Sequence, residues 1–267
     1  MRYFMLCCLL ICSLSIFAQS KNATTEKNNI PYREKVKDAY MKERCVLDIQ
    51  APASANKLPI IVWFHGGGLT GGDKRIPATL NNQPAIVISA NYRFSPKAKV
   101  EDIIDDAAAA VAWAFEHASA YGGDTSRIYV AGHSAGGYLL AMIGLDKHYL
   151  AKYKIDANRI AALFSFSCQA ITHFTWRKEH NISDKQAIVN EFAPLYHARA
   201  DAPPLYLFTG DRELEMLGRY EENAYLARMM KINGHTKTKL YEFDGFNHNN
   251  MPIPAFEIML QEIFKKK

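Results

Sequence analysis

Residues 127–140, RIYVAGHSAGGYLL, constrain the fold more than any other stretch of the chain. Residues 128–131 form a short apolar run of β type, and residues 135–145 are apolar at helical spacing. Between them Gly132-His133-Ser134-Ala135-Gly136 leaves room only for a sharp turn with Ser134 at its apex. Glycines two before and two after a serine remove Cβ atoms that would collide in such a turn. A serine hydroxyl is a weak nucleophile, so it must stand clear of the sheet within reach of a base. The helix then starts directly behind Ser134, where free N–H groups and the positive dipole end favour an oxyanion. A glycine-rich turn with a solvent-facing serine is the plain alternative, and the flanking strand and helix argue against it.

Strand-like and helix-like segments alternate along the rest of the chain. Strands are expected at 45–49, 59–64, 85–90, 128–131, 160–166, 205–209 and 239–243. Helices are expected at 100–117, 135–145, 220–232 and 254–265. In the first helix Asp102, Asp105 and Asp106 read as the outer side and Ala108, Val111, Ala112 and Phe115 as the packing side. The runs PIIVWF and AIVISA are continuously apolar, as in strands buried on both faces. This alternation predicts an α/β domain with a mostly parallel sheet covered on both faces. Ligands bind such sheets at the carboxyl ends of the strands. His65-Gly66-Gly67-Gly68 follows PIIVWF at such an end. Successive glycines let backbone N–H groups approach a ligand closely, as an oxyanion hole requires. The Gly-Lys-Ser/Thr ending of a phosphate loop is absent.

Residues 1–18 carry one charge, Arg2, and an apolar run from Phe4 to Ile11. They read as a secretory signal peptide cut after Ala18, and the apolar core is short for a membrane span. The mature chain is expected to be exported, periplasmic or released, with no membrane contact once the signal is cleaved. Residues 19–43 read as a polar leader and 44–267 as one catalytic-sized domain. Of five cysteines, Cys45 and Cys168 lie beyond the signal, which is no disulfide framework and offers no metal-ligand spacing. The formal net charge of +5 falls by one with Arg2. The cations are interspersed with acids, which argues against a nucleic-acid partner.

HGGG followed later by GHSAGG resembles the α/β-hydrolase superfamily. The likeness is to its hormone-sensitive-lipase-like esterases and to the deacetylase and feruloyl-esterase-type carbohydrate esterases. CVLDIQAP, HGGGLTGGDK, NYRFSP and EDIIDDAAAAVAWAFEHASAYGGDTSRIYVAGHSAGG follow the pattern of these groups. The resemblance runs from about Cys45 to the C-terminus. It implies an α/β-hydrolase fold with a small lid insertion. It implies Ser134 as nucleophile, the N–H groups of Gly67, Gly68 and Ala135 as oxyanion hole, and His65 as an anchor that takes no proton. His133 is a variable position of the motif that shapes the acyl pocket.

The triad order on this fold is serine, acid, histidine. His248, in the turn-rich loop after residues 239–243, is therefore the expected base; His235 precedes that strand, at the wrong end of the sheet. The acid should follow residues 205–209, where Asp211, Glu213 and Glu215 compete. In the related families it stands three residues after the closing glycine, which selects Glu213 here, with Asp211 as the alternative and Glu215 last. Residues 167–200 break the α/β rhythm and interleave Phe174, Trp176, Phe192 and Tyr196 with polar residues, as in a lid. The other histidines, at 117, 148, 173, 180 and 197, read as surface or lid residues.

Together these features predict a serine esterase acting on short-chain carboxylic esters, acetyl or aryl and feruloyl-type. The ester would be a small molecule or linked to a polysaccharide, and no cofactor or metal is called for. An amidase or peptidase on the same fold and a non-catalytic binding protein are the alternatives.

Overall fold

The computed structural model describes residues 24–265; the expected signal peptide lies outside them. In chain order the elements are β1 (Thr24–Pro31), α1 (Ala39–Arg44), β2 (Val46–Pro52), β3 (Leu58–Phe64), β4 (Ile86–Ala90), α2 (Val100–His117), β5 (Gly123–His133), α3 (Ala135–Leu145), α4 (Lys147–Ala151), β6 (Ala162–Phe166), α5 (Phe174–Glu179), β7 (Leu205–Gly210), α6 (Arg219–Ile232), β8 (Thr238–Phe243) and α7 (Pro252–Ile263). One sheet holds all eight strands in the order β1-β2-β4-β3-β5-β6-β7-β8. From β4 to β8 every pairing is parallel, while β1 and β2 pair antiparallel at one edge. This is the expected mostly parallel α/β-hydrolase sheet with helices on both sides.

Successive side chains of a strand face opposite ways, and β3 shows both consequences. Ile60, Val62 and Phe64 join the core beneath α2, α3 and α6. Ile61 and Trp63 join a second core under α7, with Phe166, Phe208 and Phe256. Trp63 meets Phe166 edge-on at 5.6 Å and Phe256 at 5.3 Å. A strand packed on both faces has no polar position to offer, which explains the unbroken apolar runs in its sequence.

Two expectations are corrected. The polar leader is part of the domain: Thr24–Pro31 is a strand paired with β2, and Ala39–Arg44 is a helix. Its polarity is that of an edge strand, whose outer side chains face water and whose register shift at Lys27/Ile30 blunts the edge. Nor does Asp106 face outward. It is fully buried, held by Arg93 Nε at 2.7 Å and Nη2 at 2.9 Å and by Arg33 Nη2 at 2.6 Å. Periodicity placed it by its polarity. Arg33, which lies within the supposed leader, and Arg93 supply the two cations that make its burial tolerable.

Cys45 and Cys168 are buried free thiols; the Cys168 thiol donates to Asn223 Oδ1 at 3.2 Å. Among the described residues no cluster of three or more His, Cys, Asp or Glu side chains could hold a metal, and no helix is long and apolar enough to cross a membrane.

Candidate active site

β5 runs into Ser134, whose backbone adopts φ 54° and ψ −113°, and α3 begins at the next residue. A non-glycine residue at positive φ is uncommon, and here it lifts the serine out of the sheet end. The flanking glycines are sterically required. A Cβ on Gly136 would lie 2.1 Å from the Phe64 carbonyl oxygen, and one on Gly132 would lie 2.6 Å from the Gly136 carbonyl carbon. The close approach of β3 and α3 around the elbow thus fixes both glycines. The Ser134 N–H donates to the Phe166 carbonyl at 2.7 Å, tying the elbow to the end of β6.

The HGGG loop leaves β3 against this elbow: a Cβ on Gly66 would lie 3.4 Å from the Ser134 Cβ. His65 is buried, stacked on Tyr92 at 4.4 Å, with its Nδ1 2.6 Å from the Gly66 carbonyl. Burial lowers its pKa to about 4, so it is neutral. The Gly67 carbonyl accepts from the Thr70 and Gly71 N–H groups at 3.0 and 3.1 Å, curling the loop on itself. Gly67 (φ 116°) and Gly68 (φ 62°) therefore follow the elbow contact within one tight curl, and Ala135 is buried at the start of α3.

The 167–200 segment lies on this loop. The Thr175 hydroxyl donates to the Gly68 carbonyl at 2.6 Å, and a Cβ on Gly68 would meet the Phe174 ring at 3.0 Å. Glu179 at the end of α5 accepts from the Ser95 hydroxyl at 2.7 Å. Trp176 stacks on Phe192, whereas Tyr196 is exposed. His173 is buried and caps α5. The segment is thus a pinned cover, and its contacts to Gly68 are a feature the sequence did not signal.

His248 stands in the loop after β8, against His133, the residue before Ser134. Asn247 shapes that loop, its Oδ1 accepting from the Asn249 and Asn250 N–H groups at 2.9 and 3.2 Å. His133 Nε2 lies 2.9 Å from the His248 carbonyl, and the two rings are 4.6 Å apart. Burial and the neighbouring His248 lower the His133 pKa to about 4, so the neutral ring donates one N–H to that carbonyl. His133 therefore holds the His248 loop. His235, in contrast, is bonded to the Ala202 carbonyl and Thr238 at the opposite end of β8.

The carboxylate at His248 is Glu215. Its Oε1 lies 2.6 Å from His248 Nδ1, and its side chain is fully buried. Burial raises the Glu215 pKa, but hydrogen bonds from His248 and the Met216 N–H outweigh this and bring it to about 2. Neither Glu213 nor Asp211 reaches that position. The reason is a single turn of helical type after β7: the Leu214 and Glu215 N–H groups both donate to the Asp211 carbonyl, at 3.0 and 2.7 Å. Residues four apart lie on one side of such a turn, so Glu215 folds back over the strand end while Glu213 points to solvent. Counting three residues from Gly210 assumes an extended exit from the strand. Asp211 plays a structural part instead. Its carboxylate accepts from the Glu213 and Gly245 N–H groups at 2.8 and 3.1 Å, stapling the Glu215 loop to the His248 loop.

A model of the BD-FAE family matches residues 47–216, well over half of the chain, from β2 to the residue after Glu215. The chain belongs to the BD-FAE family. Carboxylesterase NlhH of Mycobacterium tuberculosis is 43% identical to this BD-FAE chain over 97 residues, 34% of this chain and 30% of that protein. The chain therefore aligns with less than a third of that relative's length. Among solved structures, Thermogutta terrifontis esterase 2 phosphoramylated by tabun superposes with a TM-score of 0.70 at 24% identity, covering 91% of this chain and 97% of that one. A truncated carbohydrate esterase from gut microbiota gives 0.74 at 19% identity over 91% and 96%. These likenesses establish the α/β-hydrolase fold of the BD-FAE chain.

Proposed function

We propose that this chain is an exported serine esterase that hydrolyses short-chain carboxylic esters, with Ser134, His248 and Glu215 as its triad. The observation that carries the reading is the buried Glu215 bonded at 2.6 Å to the Nδ1 of His248, beside a serine held at positive φ on a strand–helix elbow. Glu215 fixes the ring with Nδ1 protonated, which leaves Nε2 free to accept a proton. Ser134 Oγ attacks the ester carbonyl carbon as its proton passes to His248 Nε2. The carbonyl oxygen becomes an anion facing the N–H groups of Gly67, Gly68 and Ala135. The C–O bond breaks, the alcohol leaves with the proton from His248, and an acyl-serine remains. Water then attacks the acyl-serine by the same route, returning Ser134 and releasing the acid.

The pinned Phe174 and Thr175 over Gly68 favour small acyl groups, acetyl above all. The carboxylesterase and carbohydrate-esterase likenesses support an ester on a small molecule or a polysaccharide. The apolar run at residues 4–11 supports export.

The test is labelling with a fluorophosphonate, followed by peptide mapping and a panel of p-nitrophenyl acetate, acetyl-xylan, feruloyl esters and p-nitroanilide amides. Adduct on Ser134 and turnover of esters but not amides are expected, with Ser134→Ala lowering kcat about 10⁴-fold or more in a folded protein. No adduct, or ester turnover by Ser134→Ala within tenfold of wild type, contradicts the reading.

A further inference from the structure

Ser134 is not the only serine at positive φ on a strand end. Ser167, the first residue after β6, has φ 51° and is fully buried. Its hydroxyl oxygen lies 2.9 Å from His248 Nδ1, on the same ring nitrogen that Glu215 contacts at 2.6 Å. The hydroxyl also stands close enough to the Glu215 carboxylate to favour its charged form. Its backbone is fixed on both sides. The N–H donates to the Phe208 carbonyl at 2.7 Å, and the carbonyl accepts from the guanidinium of the buried Arg219. Glycine would adopt this φ without strain, so the backbone alone does not ask for a serine. The side chain does have an occupation, since it closes a three-membered ring of contacts with His248 and Glu215.

We infer that Ser167 is a positioning residue of the proton relay: its oxygen shares the His248 Nδ1 proton with Glu215 while its own proton goes to the Glu215 carboxylate. The inference rests on the triad reading above. The hydroxyl restrains the ring against rotation about its bond to Glu215, and it gives the imidazolium that forms during attack a second acceptor. Arg219 acts through the Ser167 carbonyl and keeps the residue at the strand end. The charged and titratable groups around this ring of contacts are Glu215, His133 on β5, and Arg219 and Glu222 on α6. His133 is neutral down to about pH 4, and Glu222 is engaged by the Ala170 N–H at 2.8 Å.

The experiment compares wild type, Ser167→Gly and Ser167→Ala, each also in a Glu215→Gln background, by kcat, KM and the pH profile of kcat/KM. Glycine relieves the backbone while deleting the hydroxyl, so folding is not the limiting risk. Both single variants should lose about three- to tenfold in kcat, the scale of one neutral hydrogen bond, with KM unchanged. The acid limb of the profile should move to lower pH, because the protonated ring has lost an acceptor. In the Glu215→Gln background the further loss should be under about twofold, since the two residues act on one proton. Ser167→Gly within twofold of wild type with an unmoved acid limb overturns the inference and leaves the triad standing. A loss confined to KM, or one that multiplies fully with Glu215→Gln, also overturns it by making Ser167 merely structural. Wild type that neither labels at Ser134 nor turns over esters overturns the triad and the inference together.

Discussion

The two sides of Ser134 are built from different materials. On the side of the HGGG loop, backbone does the work. In the proposed site Gly67 and Gly68 would supply N–H groups, and the loop's shape is set by what cannot fit, such as a Cβ on Gly67 that would lie 2.1 Å from the Gly71 carbonyl oxygen. On the other side, side chains from three separate loops converge: Ser167 after β6, Glu215 after β7 and His248 after β8. Backbone groups are placed by a contiguous run of residues, so one short segment carries the whole constraint. Side chains are placed by reach and by the turn beneath them, so residues two positions apart can exchange roles without altering the fold.

That contrast can be broken by substitution, most severely at Gly67. Gly67→Ala would drive a methyl group into fixed backbone at a φ that alanine avoids, so kcat should fall about 10²–10³-fold, the cost of losing an oxyanion donor. Gly68→Ala should cost much less, because the atom in the way is the tip of the Phe174 ring, at 3.0 Å, and a side chain can yield. Equal losses in the two variants, measured by steady-state kinetics on folded protein, would contradict a backbone-built oxyanion side.

Acid titration sharpens the contrast through stability. His65 and His133 are held neutral to about pH 4, below the ordinary imidazole range, so the unfolded chain takes up their protons first. Stability should therefore fall as pH drops from about 6.5 towards 4, by on the order of 3 kcal/mol for each group at most. Glu215, depressed to about 2, adds a further loss from about pH 4.5 downwards. Urea unfolding between pH 7.5 and 4 should show the first fall, and Glu215→Gln should reduce only the part below about 4.5. Stability that is constant from pH 7.5 to 4 would contradict the buried neutral histidines.

The smallest effect belongs to the staple. Asp211→Ala removes acceptors from the Glu213 and Gly245 N–H groups at the partly exposed junction of two loops. Stability should fall only slightly and kcat by less than tenfold. Thermal unfolding and kinetics of the variant check both.

The same division explains what could be read from the sequence. The sheet is legible because strands buried on both faces are nearly all apolar, and the helical spacing of α2 spans its observed ends, Val100–His117. The elbow and the HGGG loop were legible because steric exclusion leaves glycine no substitute. β1 is not, since an edge strand with six of its eight residues exposed looks like polar coil. Asp106 was misplaced because its partners, Arg33 and Arg93, approach from other segments. Spacing alone favours Glu213 over Glu215 because the turn at Asp211 is set by hydrogen bonds that no local pattern announces. Ser167 carried no signal, since its meaning lies in a histidine far along the chain.

The proposed triad stands or falls on the identity of its carboxylate. Glu215→Gln, Glu213→Gln and Asp211→Asn should be compared for kcat on p-nitrophenyl acetate, with circular dichroism and thermal unfolding as controls for folding. Glu215→Gln should lose about 10³–10⁴-fold in kcat, with the other two variants within tenfold of wild type. A folded Glu215→Gln that retains near-wild-type kcat, or a crippled Glu213→Gln, would contradict the proposed triad.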